Sequence, residues 1–191
     1  QEIQAGGFGA KENYTITRVG YEVGQFYGLQ VDGIFSSQDE VDDQTYIDAN
    51  GVTQQAYGPT VGAGDYRYKD INGDGQINDD DKVVIGSPYP DFTMGLTSNF
   101  MYKGFDLSIF MYWSHGNEIF NTAKLFTETS YESTNMAAYM LTDAWSLNNQ
   151  SATIAQLGGD YQNNYFRSSD AYIENGSFLR FKNISLGYTI P

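Results

Sequence analysis

Residues 91–113 read DFTMGLTSNFMYKGFDLSIFMYW, and no other run constrains the fold as tightly. One parity carries Phe92, Met94, Leu96, Ser98, Phe100 and Tyr102; the other carries Thr93, Gly95, Thr97, Asn99 and Met101. After Lys103-Gly104 the alternation resumes with Phe105, Leu107, Ile109, Met111 and Trp113 against Asp106, Ser108, Phe110 and Tyr112. A period of two on both sides of a two-residue turn containing glycine predicts a β-hairpin, with strands over 92–102 and 105–113. Each arm has the length, about 9–11 residues, of a tilted strand that crosses a bilayer. Ile184, Leu186, Tyr188 and Ile190 alternate with Ser185, Gly187 and Thr189, which predicts a further strand over about 178–190.

Any antiparallel sheet with one face on a core and the other in water alternates in the same way, so the period alone leaves a soluble β-domain open. Loop lengths weigh on the other side. The 63 residues from Ser114 to Gly176 show no strong alternation, whereas the hairpin turn has two residues. Tight turns at one end and long loops at the other suit an outer-membrane barrel. Within the long loop, NMAAYMLTDAWSL places Met136, Tyr139, Met140, Asp143, Ala144 and Leu147 near helical spacing and predicts a short helix, with Asn135 as N-cap. Nearer the front, VGYEVGQFYGLQVDGIF (19–35) is strand-like, loosened by Gly20, Gly24, Gly28 and Gly33. The expectation is an all-β fold with strands near 19–35, 92–102, 105–113 and 178–190, joined by long loops at 36–91 and 114–176.

Charge narrows the function. Asp and Glu number 24 against 10 Lys and Arg, a net charge of −14, so nothing supplies a basic footprint for nucleic acid. Cysteine is absent, which excludes disulfides and thiolate metal sites. No apolar run is long enough for a transmembrane helix. The chain opens at Gln1 without an initiator Met or a signal peptide and reads as an internal fragment. It carries no G-x-S-x-G, P-loop or H-E-x-x-H motif, and no catalytic residue is expected. His115, the single histidine, reads as a rim residue beside Trp113. Trp113, Tyr102 and Phe105 stand at strand ends, where an aromatic girdle or a buried core would place them. Arg180 and Lys182 share parity with Ile184, Leu186 and Tyr188. A base at a lipid midplane is costly, so both are expected at the outer interface, or turned inward by a bulge.

Residues 70–81, DINGDGQINDDD, have the spacing of a calcium loop. Asp70, Asn72 and Asp74 occupy positions 1, 3 and 5, and Gly75 sits at the sharp turn of position 6. Gln76 would offer its carbonyl at position 7, Ile77 would tuck inward at 8, Asn78 stands at 9, and Asp81 takes position 12. A hard cation needs several oxygens at one point, and this spacing supplies them. The expected ligands of a structural Ca²⁺ are Asp70, Asn72, Asp74, Gln76 and Asp81, with Asp79 and Asp80 turned to water. Asp81 departs from the usual Glu and reaches less far. The other reading is a plain acidic turn, since NG and DG are turn dipeptides.

Three stretches together, GYEVGQFYGLQVDGIF, then GDYRYKDINGDGQINDDDKVVIGSPYPDFTMGLTSNFMYKGFDLSIFMYWSHGNEIFN, then NGSFLRFKNISLGYTIP, resemble the C-terminal barrel region of SusC/RagA-type TonB-dependent outer-membrane transporters. The resemblance covers most of 19–121 and 173–191; residues 1–18 and 122–172 match weakly, as variable extracellular loops would. It implies strands of a transmembrane barrel, 22-stranded in the family, with a plug in the lumen. It further implies loops outside the cell, import of oligosaccharides or peptides driven by TonB through a region absent here, and a SusD-like lipoprotein lid over the mouth. The rival classes are a soluble calcium-binding adhesion or interaction module and a carbohydrate-active enzyme using a carboxylate pair.

Overall fold

The computed structural model describes residues 2–5, 13–128, 135–158 and 167–190; parts of the expected loop 114–176, at 129–134 and 159–166, lie outside the described residues. In chain order the strands are β1 (Glu2–Ala5), β2 (Thr15–Arg18), β3 (Gln25–Gly28), β4 (Val31–Ile34), β5 (Thr45–Ile47), β6 (Thr53–Gln55), β7 (Tyr66–Tyr68), β8 (Val83–Gly86), β9 (Phe92–Tyr102), β10 (Phe105–His115), β11 (Glu118–Phe120), β12 (Ile173–Asn175) and β13 (Phe178–Tyr188). The α-helices among the described residues are short: α1 (Gln38–Asp42), α2 (Lys124–Thr127) and α3 (Met140–Asp143). Every ladder between these strands with a resolved register is antiparallel, so the fold class is all-β, as the alternation predicts. The chain divides into two compact units, residues 1–86 with 120–173, and residues 87–119 with 174–191.

The first unit contains a four-stranded sheet in the order β1-β2-β3-β8, a β4–β7 ladder and a β5–β6 hairpin. Its core is aromatic: Phe35, Tyr57, Tyr66 and Tyr68 are buried together with Leu29, Val41, Val61 and Ala155. Residues 19–35 form two strands with a break between them. At that break Leu29 donates its N–H to the Ser168 carbonyl (2.8 Å) and accepts from the Asp170 N–H (3.1 Å). The segment at 168–170 lies so close that a Cβ on Gly28 would sit 2.5 Å from the Ser168 carbonyl oxygen. Glycine is what permits that approach.

The expected loop 36–91 carries structure of its own. Ser37 caps α1 by accepting the Glu40 N–H (3.3 Å), and the Glu40 carboxylate accepts the Ser36 N–H (2.6 Å) in return. The first bond satisfies a donor that a helix start leaves unpaired, and the second ties the residue before the cap to the first turn. The β5–β6 turn is held by Asp48, whose Oδ1 accepts the Asn50 and Val52 N–H groups, each at 2.9 Å. The predicted helix at 135–147 shrinks to the single turn α3. Asn135 does not cap it; Tyr139 occupies that position without a side-chain hydrogen bond. Ala144 turns extended to bridge Ile154, and Asn149 Nδ2 donates to the Thr142 and Ala144 carbonyls. Tertiary pairing has overridden the helical spacing.

The second unit is a three-stranded sheet in the order β13-β10-β9. Tyr102 pairs with Phe105 across Lys103 (φ 46°) and Gly104 (φ 85°), two successive positive φ values that give a two-residue hairpin turn. β10 runs two residues past the expected end, to His115, which pairs with Phe92. Directly paired residues share a face. Phe92, Met94, Leu96, Phe100 and Tyr102 therefore lie on the face of Phe105, Leu107, Ile109, Met111 and Trp113. Along β13, Tyr188, Leu186 and Ile184 face the same way, opposite Phe105, Leu107 and Ile109.

A bulge then changes the parity. Asn183 pairs with Phe110 but Phe181 pairs with Met111, so Lys182 is the extra residue. Beyond it Phe181 and Leu179 occupy the apolar face, and Arg180 pairs with Tyr112 on the other one. Of the two placements expected for Arg180 and Lys182, the structure has the bulge. The Lys182 ammonium lies 4.7 Å from the Tyr112 ring centre and the Arg180 guanidinium 5.1 Å from that of Phe178.

Candidate functional site

The apolar face of the second unit is uncovered. Phe100 is 58% exposed, Phe181 57%, Ile184 62% and Leu186 71%, which no sheet packed on a soluble core would show within its own unit. Both ends of this face are aromatic. At one end Phe92 meets Trp113 edge-on (5.0 Å) and stacks on His115 (5.3 Å); at the other Phe105 lies 4.5 Å from Tyr188, beside Tyr102. Eleven residues at a rise of about 3.3 Å span about 33 Å, and a tilt of about 40° projects that onto about 25 Å. That is the height of the apolar band of an outer-membrane barrel. The opposite face carries Thr93, Thr97, Asn99, Ser108, Asn183 and Ser185 together with Met101, Phe110, Tyr112 and Phe178, a mixed and more polar surface.

The acidic loop is the second candidate. Asp70 accepts the N–H of Gly73 (2.6 Å) and of Gly75 (2.7 Å), which ties position 1 to position 6. Asn72 Oδ1 accepts the Asp74 N–H and Asp74 Oδ1 the Gln76 N–H, both at 2.8 Å. Asp81 is fully buried. Its Oδ1 accepts the N–H groups of Ile71 (2.9 Å) and Asn72 (3.4 Å), and its Oδ2 that of Asn78 (2.9 Å). Asn78 in turn accepts the Asp80 N–H (2.7 Å), and with Asp81 it makes a capping box for the single turn 79–81. The sequence shows this as N-x-x-D, a second use of Asp81 that the metal spacing does not require.

The two halves of the loop fit a cation unequally. Asp70 keeps a free lone pair on each oxygen, whereas Asp81 has about one of its four acceptor sites left. Asp81 is thereby limited to one oxygen contact. As folded, the carboxylates do not converge: among the described residues no three His, Cys, Asp or Glu side chains gather closely enough to hold a metal. Asp79 and Asp80 point outward, Asp79 pairing with Lys82 at 2.9 Å.

Behind the loop stands support that the motif does not reveal. Ile77 is half-buried against the aromatic core, and Arg167 donates to its carbonyl (3.2 Å) while lying 5.7 Å from the Tyr68 ring centre. Tyr68 donates its N–H to the Tyr57 hydroxyl (2.7 Å), which donates back to the Tyr68 carbonyl (3.2 Å). Burial pushes the Tyr57 and Tyr66 phenols up to about 12, and Tyr68 higher still. These tyrosines stay neutral hydrogen-bonding struts at any physiological pH.

Comparison with known proteins agrees with the sheet. No family model matches the chain. It is 36% identical over 177 residues to TonB-dependent receptor P26 of Formosa agariphila, covering 91% of this chain and 16% of that protein. TonB-dependent receptor P3 of the same organism is 30% identical over 176 residues (92% and 16%), and TonB-dependent receptor SusC of Bacteroides thetaiotaomicron 34% over 148 residues (72% and 13%). Among solved structures, the RagAB peptide transporter superposes with a TM-score of 0.60 at 25% identity, over 93% of this chain and 18% of that one. An antiparallel wall with an uncovered apolar face defines the class: a segment of a β-barrel receptor. The chain belongs to the SusC/RagA-type TonB-dependent receptors, and it spans about a sixth of the length of the first two relatives named.

Proposed function

We propose that this chain is part of the barrel wall and outer loops of a TonB-dependent transporter in the outer membrane of a Gram-negative cell, importing oligosaccharides or peptides. The uncovered apolar face, about 25 Å tall between two aromatic ends, carries the reading, because lipid is the solvent such a face fits. In the whole protein the barrel has the family's 22 strands around a plug, TonB supplies the energy, and a SusD-like lipoprotein closes the mouth. Transport asks no catalytic residue of this region, and the chain works here as a wall and not as an enzyme. Short turns face the periplasm, so Lys103-Gly104 is periplasmic and the long loops are extracellular. The test is to place single cysteines in the full-length protein in intact cells and add an impermeant thiol reagent. A cysteine at Asn148 reacts and one at Lys103 does not; the reverse pattern refutes the topology. A full-length protein found in the soluble fraction, without heat-modifiable migration on a gel, would favour the soluble-module reading.

A second proposal concerns the acidic loop. Its tie from Asp70 to Gly75 and its chain of Asx turns support a structural Ca²⁺ held by Asp70, Asn72, Asp74, the Gln76 carbonyl and one oxygen of Asp81.

A further inference from the structure

We propose that Arg180 and Lys182 form an anion-binding patch on the polar face of the β9–β10–β13 sheet, one that takes a carboxylate or sulfate group of the transported ligand. The inference rests on the transporter reading above. Its geometric basis is the bulge at Lys182, which puts both bases on the side of Tyr112 and Phe178 instead of the apolar side. In a chain with 24 acids, neither base has an acidic partner among the described residues; each lies against a ring. The acid on this face of β10 is Asp106, which pairs with Gly187 six residues from Tyr112. Along the strand that is about 20 Å for Arg180, and the four to five residues to the Lys182 bulge are about 15 Å, so each base lies about two Debye lengths or more from Asp106 at physiological salt.

Lying over a ring occupies one face of a cation and leaves N–H groups to donate. Arginine has five and lysine three, enough for an oxyanion held from two sides. On this face Thr97, Ser108, Asn183 and Ser185 border an aromatic cluster of Phe110, Tyr112 and Phe178, so the bases stand where rings meet a polar wall. Avoiding lipid does not by itself explain the pair: once the bulge has turned these positions to the polar face, any hydroxyl or amide side chain would serve there. Two like charges on neighbouring rings, whose centres are 5.9 Å apart, persist most readily where an anion visits.

The test uses the full-length receptor in detergent, with tetragalacturonate as acidic probe and maltotetraose as neutral probe, each measured by titration calorimetry. Wild type binds tetragalacturonate. The double variant R180Q/K182Q weakens that binding about tenfold or more, the loss expected for two charge-assisted contacts. Raising salt weakens the wild type in the same direction, Lys103→Gln has no effect, and any maltotetraose binding is unchanged by R180Q/K182Q. Failure of wild type to bind the acidic probe, or equal binding by the double variant, overturns the proposal. Heat-modifiable migration of the same sample reports separately on the barrel. A normal band with no charge-dependent binding sinks the anion patch alone; a missing band sinks the transporter reading with it.

Discussion

If the apolar face meets lipid, a charge placed on it must cost what a charge costs in a bilayer, and its sequence neighbour must escape. Ile184 and Ser185 make that comparison. Ile184 pairs with Ile109, one residue from the middle of β10, and is 62% exposed on the apolar face; Ser185 pairs with Ser108 on the polar face. One residue of tilted strand is about 2.5 Å of depth, so Ile184 sits close to the midplane of an apolar band about 25 Å tall. Arginine there costs about 2–4 kcal/mol. At about 1.4 kcal/mol per factor of ten, that is roughly a 30- to 700-fold loss in the folding equilibrium. Ser185→Arg lies on the face of Ser108, away from the apolar face, and should stay within about 0.5 kcal/mol, like other surface changes. The assay is guanidinium unfolding of the full-length protein folded into phospholipid vesicles, read by the fraction that migrates as compact barrel. Two results would refute the reasoning: a cost below about 0.5 kcal/mol for Ile184→Arg, or equal costs for the two variants. Either would mean that this face is covered by protein and not by lipid.

Calcium is tested by the full-length protein's melting temperature with Ca²⁺ and with chelator: wild type and Asp79→Ala should gain with the metal and Asp74→Ala should not. If calcium stabilises neither of the first two, the loop is an acidic turn. Gly28→Ala drives a methyl to 2.5 Å from the Ser168 carbonyl oxygen and should destabilise by about 1–3 kcal/mol, whereas Gly51→Ala, with open space around it, should cost only its φ strain. Urea midpoints would separate the two, and equal costs would refute the close approach. Burial raises the Asp170 carboxyl above its usual range, although its Oδ1 accepts the Val31 N–H (2.9 Å). An acid raised in the folded state favours folding below its unfolded value and loses that contribution as pH rises through the folded value. Asp170→Asn keeps an acceptor and should raise the melting temperature at pH 7 while changing little near pH 3; a drop at pH 7 would contradict the sign.

The sequence displays the sheet because an apolar face and a more polar face impose a strict period on it. Every alternating residue from Phe92 to Trp113 faces as its parity requires, and the Lys103-Gly104 turn fixes the register of both arms. The bulge, one of the two placements expected for Arg180 and Lys182, is located by the apolar parity along β13. Leu179 and Phe181 are odd and Ile184 and Leu186 are even, so one residue must be extra between 181 and 184. In a regular strand Arg180 and Lys182 would share the face of Ile184; the bulge at Lys182 interrupts it.

The first unit is much less legible, and the reason is physical. Its strands are three or four residues long, too short for a period to declare itself, and two of its ladders, β3–β8 and β4–β7, join strands far apart in the chain. Nothing local foretells that Leu29 bridges Ser169, or that Arg167 holds the Ile77 carbonyl from 90 residues away. The acidic loop lies between these cases. Its glycines and Asx turns follow from spacing alone, since each side chain bonds a backbone two to five residues on. Whether Asp81 is free for a cation does not follow from spacing. That depends on how many backbone donors reach it, and three do. A motif fixes which oxygens can meet; the rest of the fold decides how many still have a lone pair to offer.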